Sequence, residues 1–195
     1  DLAKIESGKM VLRVESFGVA EVMVEVLETG RVLAVDKPLE VTWVHEGRDV
    51  ELMTDRQRLQ QILVNLVSNA VKFTNEGHVR LHSSLQKGDI VIAVRDSGIG
   101  IPAEDLAVIF DEFRQVDGTS TREYGGTGLG LAISSKFAES MGGDLTARSE
   151  LGEGSEFVLR VPRHAQVMEA PKDGRVPVAL SVPGQAIDLS AITGG

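Results

Sequence analysis

The sequence predicts an α/β fold, a two-layer sandwich in which a mixed, mainly antiparallel sheet is covered by helices on one face. Three observations carry this expectation. Segments of alternating polarity are interleaved with segments of helical period. Turns short enough for hairpins join several of the strand-like segments. Finally, 195 residues, 42% of them hydrophobic, suit one main core rather than two full-sized domains.

Residues 10–17 alternate apolar and polar and read as a short strand. A helix from 19 to about 35 follows, with Val22, Val26, Leu27 and Leu33 at helical spacing. Residues 41–45 and 50–53 read as a hairpin across Glu46-Gly47-Arg48-Asp49. Asp55 suits the N-cap of the strongest helix, 55–73, which stops before Asn75-Glu76-Gly77. Strands at 79–85 and 90–95 flank the turn Lys87-Gly88-Asp89. A short helix at 102–110, a polar, glycine-rich stretch at 111–128, a helix at 129–141 and a hairpin of 144–149 with 155–161 complete an expected domain of residues 11–162. The tail, 163–195, spreads Pro and Gly through Ala, Val and Ser without period, and reads as a linker or a weakly attached extension.

A net charge of −9 argues against a nucleic-acid or anionic-membrane partner, because both require a basic face. Any phosphate site must be built locally. The absence of cysteine excludes disulfides and thiolate metal sites, and points to a reducing, cytoplasmic setting. His45, His78, His82 and His164 are too scattered to suggest zinc; His78 and His82 would share a strand face. No apolar run approaches the roughly 18 residues of a membrane span, and the N-terminus has no signal-peptide pattern.

The candidate chemistry starts on the helix at 55–73. Leu59, Ile62, Leu63, Leu66, Val67 and Ala70 form its core-facing stripe, and Asn65, Asn69 and Lys72 fall in one narrow sector beside it. These three are either a solvated helix face or a convergent set: an amide carbonyl suits a hard ion such as Mg2+, and a Lys one turn on can reach a polyphosphate. Asp96-Ser97-Gly98-Ile99-Gly100-Ile101 follows an apolar strand. It is either a tight turn or a base site, in which an ionised Asp accepts from an exocyclic amino group and the glycines admit a ligand beside the backbone. Gly125 to Leu131, GGTGLGL, opens a helix and offers free amide groups to an anion. It lacks the Lys-Ser/Thr of a Walker loop and the preceding strand of a dinucleotide fingerprint.

Together these segments carry a resemblance. NLVSNAVKF at 65–73, DSGIGI at 96–101, IFDEFRQVD at 109–117 and GGTGLGLAIS at 125–134 resemble the N box, first glycine box, F box and second glycine box of sensor histidine kinases, in that family's order. The resemblance implies the Bergerat ATP-binding fold shared with gyrase, MutL-type repair proteins and heat-shock chaperone ATPases, with ATP and Mg2+ as cofactors. It implies Asn69 as the Mg2+ ligand, Lys72 as a phosphate contact, Phe73 as pocket wall and Asp96 as the reader of the adenine amino group. Gly98, Ile99, Gly100 and Ile101 would shape the base pocket. Residues 111–127 would form a mobile lid, with Phe110 and Phe113 as its anchors and Arg122 as a cation over the phosphates. Gly126, Thr127, Gly128, Leu129 and Gly130 would cradle those phosphates.

Where ATPases of this fold carry a water-activating Glu, this chain has Asn65, and an amide cannot act as a general base. That favours transfer to a nucleophile over hydrolysis, with Asn65, Asn69 and Lys72 as the catalytic set. An ATPase or serine kinase of the same fold, or a nucleotide-binding interaction module, are the alternatives. The family's phosphoacceptor histidine, on a dimerising hairpin, has no counterpart here: His45-Glu46 sits in a strand with no proline after it. Residues 1–10 resemble the end of that hairpin, so the chain reads as cut from a longer one, monomeric by itself. Its expected partners are its own phosphoacceptor domain and a downstream response-regulator receiver domain. The tail would be the linker to such a receiver in a hybrid kinase.

Overall fold

The computed structural model describes residues 11–112 and 128–164. The elements follow as β1 (Val14–Gly18), α1 (Val19–Leu33), β2 (Leu39–Glu46), β3 (Glu51–Asp55), α2 (Arg56–Phe73), β4 (Gly77–Gln86), β5 (Asp89–Asp96), α3 (Ala103–Leu106), α4 (Gly130–Ser140), β6 (Asp144–Glu150) and β7 (Gly154–Pro162). The main sheet has the order β2-β4-β5-β7-β6; β2 and β4 are parallel and the other pairs antiparallel. β1 and β3 form a separate antiparallel pair.

The strand alternation decides which face is covered. Val79 and Leu81 of β4, Ile90, Ile92 and Val94 of β5, and Phe157, Leu159 and Val161 of β7 are buried in the same core as Leu59, Ile62, Leu63, Leu66 and Val67 of α2. Residues at the intervening strand positions, Arg80, His82, Arg95 and Arg148, are exposed. α2 lies between α1 and α4 on the covered face. The architecture is therefore the expected two-layer sandwich, with helices on one face of a mixed sheet.

α2 is fixed at its start by Asp55, whose Oδ1 accepts from Arg58 N at 3.0 Å while Oδ2 accepts from Arg13 N at 2.9 Å. Such a cap contributes about 1 kcal/mol. Glu25 of α1 accepts from Arg56 Nη2 at 2.6 Å and Gln60 Nε2 at 2.8 Å, which sets α1 against α2. Beyond β7, Arg163 O accepts from Met53 N at 2.8 Å and Arg163 N donates to Gly88 O at 3.1 Å. No described helix is long and apolar enough to cross a membrane.

Two expectations are corrected. β2 and β3 are not a hairpin: β2 runs parallel to β4, from Leu39 opposite Gly77 to Glu46 opposite Ser84, and β3 pairs with β1. Asp49 explains the diversion. Its Oδ1 accepts from Ala20 N at 3.1 Å and from Val50 N at 2.9 Å, and Val50 O accepts from Val19 N at 2.9 Å, so the turn docks on the start of α1. The helix expected at 102–110 contracts to Ala103–Leu106, because Val108 N and Asp111 N donate back three residues, to Asp105 O and Val108 O.

Candidate nucleotide site

The segments singled out in the sequence meet along α2. Its apolar stripe is buried, and Asn65, Asn69 and Lys72 are half-buried on its flank. At about 1.5 Å per residue, Asn65 to Phe73 covers roughly 12 Å of helix axis. Asn65 Nδ2 donates to Ser134 Oγ of α4 at 3.0 Å. The Asn69 amide has no hydrogen-bond partner among the described residues. Lys72 Nζ lies 5.0 Å from the centre of the Phe73 ring.

The end expected to take the base is built around the C-terminus of α2. Phe73 O accepts from Ile99 N at 3.2 Å, and the Cα of Gly98 lies so close to Phe73 O that a Cβ there would overlap it. Asp96, the last residue of β5, is 6% exposed. Its Oδ1 accepts from Gly98 N at 2.9 Å and from Ser155 N at 3.3 Å, while Oδ2 accepts no bond from any described residue. Burial raises the Asp96 pKa above the ordinary range, opposed by those two backbone bonds and by the nearby His78. A desolvated carboxylate with one uncommitted oxygen at the rim is an acceptor that selects for an amino donor.

The β6–β7 hairpin closes this end, which the sequence reading missed. Ser149 Oγ accepts from Ile101 N at 2.7 Å, donates to Gly154 O at 2.7 Å and meets Ser155 Oγ at 2.9 Å. Ile99 O accepts from Gly152 N at 2.8 Å. Gly100, at φ +70°, lies against Glu150 O, where no side chain fits. The signal available in the sequence was GEGS at 152–155, a glycine-rich turn facing a glycine-rich loop, but nothing in its spacing says that the two touch. Ile99 is 44% exposed, whereas Ile101 and Phe110 are half-buried and pack on the core.

At the end expected to take the phosphates, Gly128 (φ +68°) and Leu129 lead into α4 at Gly130. Ile133 N donates to Leu129 O at 2.9 Å, so the amides before it have no acceptor within the helix, as an anion site requires. Phe113, Arg122, Gly126 and Thr127 lie outside the described residues, as do residues 1–10, expected to end a dimerising hairpin, and the tail from 165.

A family model described as histidine kinase-, DNA gyrase B-, and HSP90-like ATPase matches residues 54–165, from the end of β3 to just beyond β7. The chain belongs to this family. Among curated relatives it is 40% identical over 169 residues to the autoinducer 2 sensor kinase/phosphatase LuxQ of Vibrio parahaemolyticus, covering 83% of this chain and 20% of that protein. It is 39% identical over 187 residues to the sensor histidine kinase RcsC of Salmonella typhimurium, covering 95% of this chain and 19% of that protein. The chain thus spans about a fifth of the length of the curated relatives it matches. Full-length ShkA in complex with AMPPNP superposes with a TM-score of 0.75 at 34% identity, over 82% of this chain and 33% of that one. The catalytic domain of histidine kinase ThkA, nucleotide-free, superposes at 0.69 and 27% identity, over 78% of this chain and 97% of that domain. The chain is an ATP-binding catalytic domain of the histidine kinase type, with the Bergerat fold.

Proposed function

We propose that this domain holds ATP along α2 and presents its γ-phosphoryl group to a histidine on a separate dimerisation domain of a sensor kinase. The observation that carries this is convergence: the Asp96 loop seats on the C-terminus of α2, the start of α4 seats on Asn65, and Asn69 and Lys72 lie between them. Asp96 Oδ2 accepts from the adenine amino group, Phe73 and Ile99 cover the base, and Lys72 meets the phosphates. The amides of Gly128, Leu129 and Gly130 donate to phosphate oxygens, stabilising charge as it shifts during transfer.

The Asn69 carbonyl oxygen fits Mg2+: it is neutral, hard and without a protein partner among the described residues. Bound there, the ion would neutralise phosphate charge. No carboxylate stands at position 65 to activate water, which supports transfer over hydrolysis. The domain acts in the cytoplasm, with its own phosphoacceptor domain as partner and a response-regulator receiver domain downstream, and does not phosphorylate itself.

The test mixes the chain with γ-labelled ATP, Mg2+ and a dimerising hairpin from a matching kinase. The expected result is acid-labile, base-stable label on the hairpin. Free phosphate without label would indicate an ATPase, and nucleotide binding alone an interaction module; either would overturn the reading.

A further inference from the structure

The side chain of Asn65 is committed to α4 rather than to the space where a nucleotide would react. Nδ2 donates to Ser134 Oγ at 3.0 Å, and Ser134 is 2% exposed. On the other side, a Cβ at Gly130 would lie 2.5 Å from Asn65 Oδ1 and 3.2 Å from its Cγ. Gly130 and Ser134 are one helical turn apart, so the amide lies flat across the first turn of α4. Its own backbone oxygen accepts from Ser68 Oγ at 3.0 Å, which holds the α2 side of the contact.

We infer that Asn65 is a positioning residue: it latches the first turn of α4 to α2 and so sets the amides of Gly128, Leu129 and Gly130 against Asn69 and Lys72. The inference rests on the nucleotide reading above and replaces a direct catalytic role for Asn65 with one exerted through α4. It also accounts for glycine at position 130. Any side chain there would displace the amide and break its bond to Ser134.

Because the latch sets the phosphate end and leaves the base end alone, two probes separate its effects. The chain and its variants Asn65→Ala, Ser134→Ala, Gly130→Ala, Asn65→Ala/Ser134→Ala and Asn65→Ala/Gly130→Ala are titrated calorimetrically with adenosine and with AMPPNP in Mg2+. The expected result is an AMPPNP affinity about tenfold lower in each single variant, with adenosine affinity within about twofold of wild type. Both double variants should be no weaker than Asn65→Ala, since the latch is broken once and the clash at Gly130 disappears with the amide. Multiplicative losses in the double variants, unchanged AMPPNP affinity, or an equal loss for adenosine would overturn the latch. A wild-type chain that binds neither probe would overturn the nucleotide reading itself. Ser134→Ala removes a single buried oxygen, so its thermal melt distinguishes a lost latch from a lost fold.

Discussion

The two ends of the proposed nucleotide site are built differently. At the base end, Asp96, Gly98, Ile99, Ile101, Ser149, Gly152, Gly154 and Ser155 are tied together by hydrogen bonds between neighbouring loops, and the carboxylate is already buried. At the end proposed for the phosphates, the Asn65 to Ser134 hydrogen bond and the Arg58 guanidinium, 4.5 Å from the centre of the Phe137 ring, tie α4 to α2, and the first amides of α4 have no acceptor within their helix. A base contacts fixed shape, so its end can be prebuilt. Phosphates carry charge that shifts during reaction, and their end keeps its donors open for the substrate.

The largest effect expected from breaking this comparison is at Asn69. Asn69→Ala should reduce Mg2+-dependent phosphoryl transfer by at least about 100-fold, on the scale of losing one charge-stabilising contact, while adenosine still binds. Single-turnover transfer to the hairpin measures it, and normal transfer would remove Asn69 from the site.

Asp96→Asn is expected to weaken ATP about tenfold or more, as when a buried acceptor is lost to an amino donor. Its stability should behave in the opposite sense. Because burial raises the Asp96 pKa in the folded state, the group's favourable contribution is full below its unfolded pKa and is lost as pH rises through the folded value. At pH 7 the variant should therefore melt no lower than wild type. ATP affinity of the wild type should decline on acidification at a pH above the usual Asp range, and the variant should lack that decline. Equilibrium titration across pH checks both.

Gly100→Ala places a side chain at φ +70° against Glu150 O, so it should cost about 1–3 kcal/mol of stability together with base affinity. Urea melts in the presence and absence of adenosine measure it. The smallest effect is expected at Ser149→Ala. It leaves Ile101 N without its acceptor and should cost about 1 kcal/mol, with a loss in affinity of a few-fold shared equally by adenosine and AMPPNP. A loss confined to AMPPNP would blur the distinction between the ends.

The sequence announced the fold where the signal was local and periodic. α2 shows its apolar stripe and its cap, and the antiparallel strands on either side of Lys87-Gly88 are visible as alternation with a turn between them. What it did not show were contacts made between distant segments. The partner of β2 is β4, over thirty residues away, and no pattern within 39–50 encodes that pairing; Asp49 redirects the chain through bonds to Ala20 and Val50. The candidate residues Asn69, Lys72, Phe73 and Asp96 were legible because a helix face and a strand end group them. Ser149 and Ser155 were not, because they act on a loop some fifty residues earlier. Asn65 was picked out by its place on the helix face, but its bond to Ser134 was not legible, since only the packing of α4 shows where its amide goes.

Hydrogen exchange at individual amides tests most directly the claim that one end has its donors already bonded and the other keeps them open for ligand. In the chain alone, the amides of Ile101 and Ser155 should already be protected, and adding Mg2+ with AMPPNP should change their exchange by less than about threefold. The amides of Leu129 and Gly130 should exchange freely at first and gain at least about tenfold protection. Equal protection gained at both ends, or protection at Leu129 and Gly130 before nucleotide is added, would contradict the account.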